Sequence, residues 1–165
     1  MSSQAGKASQ GEMRIRVATA EDAETIAQVV NAAFRVERFF IDRDRISTEK
    51  VRAMLNMGEF LVAEDGGMAA CVYVELQGER GYFGLLAVDP GRQGSGLGRR
   101  LVEEAEERAR AAGCKVMDLR IVNLRAELPA FYRRLGYVET RTEPFKADAE
   151  PKMPCHFIVM SKPLK

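Results

Sequence analysis

Long apolar runs are missing from this chain of 165 residues. No stretch approaches the roughly 18 consecutive apolar residues that a membrane-crossing helix needs, so no such segment is expected. A surplus of charge of either sign is missing as well. The net charge is +1, which supplies no broad attraction to nucleic acid or to a membrane surface, and neither is expected as a partner. Cysteine is scarce. Cys71, Cys114 and Cys155 are odd in number and lack ligand-like spacing, so neither a disulfide framework nor a metal site is expected. Cys71 and Cys114 fall in or beside apolar segments and read as buried thiols. Histidine occurs once, as His156. The polar, small-residue opening (1–12) has no apolar core of a secretion signal and reads as a tail. A reducing, cytoplasmic setting is the default expectation.

What remains is an ordinary balance of 46% hydrophobic and 30% charged residues, enough for one domain with a real core over 13–165. No repeat or domain boundary interrupts it. The informative stretch is Leu85-Leu86-Ala87-Val88-Asp89-Pro90-Gly91-Arg92-Gln93-Gly94-Ser95-Gly96-Leu97-Gly98-Arg99-Arg100. An apolar strand breaks at a proline, passes through a glycine-rich turn and enters a long charged helix. Backbone N–H groups at a helix start lack intrahelical acceptors and sit at the positive end of the helix dipole, so they attract phosphate. Glycines let the backbone approach it.

Two phosphate-binding patterns fail. A nucleotide-hydrolase loop needs Lys then Ser or Thr after its last glycine; here Arg99 and Arg100 follow Gly98. A dinucleotide fingerprint would need glycine where Arg99 stands. The segment Gln93-Gly94-Ser95-Gly96-Leu97-Gly98 instead fits Q/R-x-x-G-x-G/A, preceded by Val88-Asp89-Pro90. It resembles the coenzyme A loop of the GCN5-related N-acetyltransferases. Further on, Phe131-Tyr132 followed by Gly136-Tyr137 resembles that family's later signature. Two motifs in the right order carry the resemblance further than either alone.

The rest of the chain is readable by period. Met13–Ala18 alternates as a strand. Thr19 caps a helix carrying Ile26, Val29, Val30, Ala33 and Phe34. Residues 36–46 read as an irregular connection, and Ser47 opens a second helix that ends at Gly58. Strands over 60–63, 68–76 and 80–88 form a meander. Residues 95–112 form the central helix, with Leu97, Leu101, Ala105, Ala109 and Ala112 on one face and a solvated charged face supported by Glu104–Arg108 and Glu106–Arg110 pairs. A strand to Val122, a short helix over 129–135, a strand over 137–142, a proline-bearing loop over 143–154 and a strand from His156 to Ser161 complete it. The order β-α-α-β-β-β-α-β-α-β-β over a mixed sheet is the α/β acyltransferase fold that the resemblance implies. An exposed edge at the last strands would permit a homodimer.

The resemblance implies transfer of the acetyl group of acetyl-CoA to a primary amine of a small molecule or protein. Leu86, Ala87 and Val88 would offer backbone groups to the pantetheine arm and thioester, with Val88 N–H on the carbonyl. Amides from Gln93 through Gly94, Ser95, Gly96, Leu97 and Gly98 to Arg99 would hold the diphosphate. Tyr132 occupies the family's general-acid position. A phenol of pKa about 10 gives a proton to a thiolate of about 8.5 only modestly uphill. The family's usual Asn contact falls at Arg125, with Asn123 two residues earlier, so either is expected to replace it. The glutamate many members carry on the fourth strand falls near Tyr82 and Phe83. Glu75 and His156 remain as candidate bases, beside a water relay. A non-catalytic coenzyme A sensor is the competing reading. The connections over 36–46 and 143–154 would set the acceptor.

Overall fold

A computed structural model describes residues 13–147 and 149–165. The expected tail lies outside the described residues. Strands β1 (Arg14–Val17), β2 (Glu59–Glu64), β3 (Met68–Gln77), β4 (Arg80–Val88), β5 (Val116–Val122), β6 (Val138–Pro144) and β7 (His156–Pro163) form one sheet. Its order is β1-β2-β3-β4-β5-β7-β6. All neighbours are antiparallel except β4 and β5, which run parallel because the helix between them returns the chain to the same end of the sheet. Among the described residues, four α-helices cover the sheet, α1 (Ala23–Ala33), α2 (Thr48–Leu55), α3 (Leu97–Ala111) and α4 (Leu128–Arg134).

The burial follows from sequence period. In α1, Ala23, Ile26, Ala27, Val29 and Val30 are buried. With Val51 of α2 they meet Phe60, Cys71 and Tyr73 on one face of the sheet. On the other face, Leu97, Leu101, Val102, Ala105 and Ala109 of α3 pack with Phe83, Met117, Tyr132 and Tyr137. Strand β3 is buried continuously from Ala69 to Val74, as a strand covered on both faces must be. Burying a side chain such as Leu101 contributes about 1.5–3 kcal/mol. At the start of α1, the Asp22 carboxylate accepts the Thr19 N–H (2.8 Å), closing one free donor of the first turn.

Several expectations need adjustment. The connection after α1 is not irregular at its start, since Phe34–Phe39 continues as a 3-10 helix. The central helix begins at Leu97, because Ser95 is used within the preceding turn and Gly96 is left-handed. Strand β6 reaches Pro144, because Glu143 and Pro144 pair with Phe157 and His156, and β7 reaches Pro163, because Lys162 and Pro163 pair with Met117 and Val116. The Glu106–Arg110 pair forms (3.6 Å), whereas Arg108 turns to Glu59 of β2 (2.7 Å) rather than to Glu104. Among the described residues, no helix is long and apolar enough to cross a membrane.

Candidate active site

The site begins where two strands part. β4 and β5 pair only from Arg80–Tyr82 with Val116–Asp118. Beyond that point β4 stays with β3 and β5 with β7, so a gap opens between them. The cause is a bulge. Between the Cys71–Ala87 and Tyr73–Gly84 pairs, β4 advances three residues while β3 advances two. Leu85 takes up the extra residue at φ 52°. A leucine there costs about 1–2 kcal/mol, and such strain concentrates at functional positions. The bulge bends β4 away from β5.

The same register aims an amide into the gap. Asp89 N–H donates to Ala69 O (2.8 Å), which makes Val88 and Ala70 a non-hydrogen-bonded pair. The Val88 N–H therefore points away from β3, toward β5. Strand β4 then enters a 3-10 turn over Pro90–Arg92. Gln93 Nε2 donates to Val88 O (3.3 Å) and Ser95 Oγ to Arg92 O (2.7 Å), so the turn holds its own shape.

Gly94 and Gly96 sit at φ 85° and 80°. A Cβ built at either would meet no protein atom within 4 Å. The turn thus presents open, side-chain-free backbone to the cleft. The first turn of α3 contains no acidic residue but carries Arg99 and Arg100. Cations there oppose the helix dipole by about 0.3–1 kcal/mol each. A bound anion reverses that sign, since it satisfies the free amides and faces the guanidinium groups. The turn therefore fits a diphosphate.

Across the gap stands α4. Tyr132 is 6% exposed and packs edge-on against Phe131 (5.0 Å between ring centroids) and beside Phe83 (6.0 Å). Burial pushes its phenol well above the usual range, with Arg125 opposing and Tyr82 adding to the rise. Tyr132 lines the cleft, and no hydrogen bond engages its hydroxyl among the described residues.

One cleft of about 1090 Å³ brings these parts together. Leu86, Val88, Gln93, Gly94, Ser95, Gly96, Leu97, Gly98 and Arg99 line it along β4 and the turn, and Glu75, Arg125 and Tyr132 line it elsewhere. Glu75 accepts the Tyr73 hydroxyl (2.7 Å); burial and that carboxylate raise the Tyr73 phenol strongly.

Three expected site residues lie elsewhere. Ala87 is buried in the core and paired with Cys71. Asn123 spends Oδ1 on His156 N–H (2.8 Å) and its own N–H on His156 O (2.9 Å). It fastens the end of β5 to the start of β7. His156 is exposed and outside the cleft lining, because alternation along β7 turns its neighbour Phe157 to the cleft instead.

The cleft also contains groups that local pattern did not reveal. Glu37 is 7% exposed and accepts Arg125 Nη1 (2.8 Å), while Arg125 Nε reaches Glu127 (2.9 Å). Burial raises the Glu37 carboxyl above its usual range, against the pull of Arg125. Arg125 is thus doubly paired with carboxylates rather than free for a ligand. Its partner lies 88 residues away in sequence, which no local pattern encodes. Among the described residues, no group of His, Cys, Asp or Glu is arranged to hold a metal ion.

Comparison with known proteins bears on this geometry. The family model described as an acetyltransferase (GNAT) domain matches residues 56–139. Blasticidin-S acetyltransferase of Streptomyces morookaense is 34% identical over 101 residues, covering 61% of this chain and 71% of that protein. Glucosamine 6-phosphate N-acetyltransferase 1 of Oryza sativa subsp. japonica is 38% identical over 93 residues, covering 50% of this chain and 54% of that protein. The chain therefore spans about half of this second relative. Salmonella typhimurium yncA, solved with its cofactor acetyl-CoA, has the same fold (TM-score 0.72, 24% identity, 93% of this chain and 95% of that one).

Proposed function

The chain belongs to the GNAT acetyltransferase family, and from that premise we propose that it moves the acetyl group of acetyl-CoA to a primary amine by direct attack in a ternary complex. One observation carries the reading. A splayed pair of strands has an open glycine turn at one end and an unengaged phenol on the opposing helix, within one cleft.

The co-substrate supplies an activated acyl group on a good leaving thiolate. Amides of the turn from Gln93 to Arg99 hold its diphosphate. The pantetheine arm runs in the gap beside Leu86 and Val88. The Val88 N–H donates to the thioester oxygen, where negative charge grows as the amine attacks, and an oriented amide is most effective there. Glu75 takes the proton that the ammonium must lose, because an amine of pKa about 10.4 is almost wholly protonated at neutral pH. Its support is its cleft-facing position on β3 and its tether to Tyr73. Tyr132 gives a proton, or a strong hydrogen bond, to the departing sulfur. Its raised pKa does not prevent this, because the thiolate is desolvated in the same slot and rises with it.

The reading is tested by following thiol release over a panel of amines with wild type and Tyr132→Phe. Wild type acetylates at least one amine, and the variant loses about 10²–10³ in kcat while binding acetyl-CoA as before. Tight cofactor binding with no turnover of any amine would favour the sensor reading instead.

A further inference from the structure

Strand pairing sets Glu75 directly opposite Tyr82, so the two side chains share one sheet face about 5 Å apart at Cβ. The Tyr82 ring lies back over Gly84, where a Cβ would come within 2.6 Å of the Tyr82 hydroxyl. Charge around this spot is not evenly cancelled. Arg125 is occupied by Glu37 and Glu127, and Asp44 is held by Arg38 (2.8 Å). Arg45 lines the cleft over the Phe34 ring (5.5 Å) and has no ion pair among the described residues. Arg120 lines it from β5, over Phe157 (4.6 Å) and Tyr82 (6.0 Å). Its carboxylate partner, Glu143 (3.3 Å), is shared with Arg141 (3.1 Å). Arg45, Arg120 and Tyr82 line the same cleft, and both guanidinium groups pull down the Tyr82 phenol against the rise that burial causes. Both guanidinium groups lie over aromatic rings, and Arg120 gives Nη1 to Glu143 while keeping further N–H donors for a ligand.

We propose that the acceptor is an amine bearing an anionic group, carboxylate or phosphate, which Arg45 and Arg120 bind beside Tyr82 while the amino group faces Glu75. The carboxylate and the two guanidinium groups line one cleft, so an amine and an acid on one small molecule can meet both. This rests on the acetyl-transfer reading and narrows its substrate class.

The test uses the full chain with acetyl-CoA and matched amines. One arm compares α-amino acids with their methyl esters; the other compares glucosamine 6-phosphate with glucosamine. In at least one arm the anionic member is preferred about ten-fold or more in kcat/KM, and that arm identifies the anion. Arg45→Met and Arg120→Met each shrink this preference about ten-fold, and the Lys variants restore part of it. Equal or better use of the neutral members in both arms, or a preference that survives both Met variants, overturns the proposal while leaving acetyl transfer standing. Acetylation of no amine in either arm overturns both.

Discussion

Replacing Gly96 by alanine separates the ligand-binding part of the turn from its cost in folding. Gly96 is left-handed at φ 80°. Alanine there loses about 1–2 kcal/mol of stability, or roughly 2–8 °C in Tm for a domain of this size. The new methyl meets no protein atom within 4 Å, so packing adds no penalty. Gly78, between β3 and β4, is a matched control with φ 61° and equally open space, and it is not part of the cleft lining. Gly78→Ala loses similar stability and binds acetyl-CoA like wild type. Gly96→Ala projects its methyl where the diphosphate approaches, displacing at least one charge-assisted hydrogen bond of about 1.5–3 kcal/mol. Its Kd rises about 10- to 100-fold. Calorimetric titration of both variants gives the comparison. Equal affinity in the two would refute the idea that this backbone cradles the ligand.

Three further outcomes follow from the structure. Glu75→Gln lowers kcat by about 10²-fold in steady-state assays with little change in acetyl-CoA binding; unchanged kcat would shift the proton transfer to water. Glu106 is 3% exposed, accepts the Tyr137 hydroxyl (2.7 Å) and Lys162 Nζ (3.1 Å), and so ties α3 to β7. Glu106→Ala strands both donors and costs roughly 2–4 kcal/mol in denaturant titrations; a loss below about 1 kcal/mol would show the network to be idle. Arg16 hydrogen-bonds Asp22 (2.9 Å) and Glu64 (3.0 Å) and holds both carboxyls below their usual range. Depressed folded values mean the unfolded chain binds more protons, so this stability is fully present above about pH 4.5 and falls as pH drops through the folded values. Arg16→Leu flattens that acid limb in urea titrations at successive pH values, and an unaltered limb would contradict the assignment.

The sequence showed most clearly what is encoded locally. Glycines around a helix start, a proline after an apolar strand and the alternation of β4 are each readable within ten residues or so. The mixed sheet and helix order follow from such segments. The opening of the site was less visible. The bulge falls on Leu85, a residue with no left-handed preference, and only the β3–β4 register imposes it. Glu106 belongs by spacing to a charged helix face, yet Tyr137 and Lys162 fold over it. Glu37 sits among charged neighbours and is buried by Arg125 from a distant loop. Asn123 and His156 look like site residues because each is a functional side chain at a strand end. Strand pairing joins them to each other instead. In each case the deciding partner is far away in sequence.

Acetyl transfer in this cleft requires main-chain amides before α3 to grip a diphosphate. Calorimetric titration of the wild-type chain with coenzyme A, and separately with pantetheine, isolates that grip, because pantetheine shares the arm and thiol but lacks the diphosphate. One-site binding of coenzyme A, at least about 100-fold tighter than pantetheine, is the predicted result. No heat with coenzyme A, or equal affinity for the two, would contradict it.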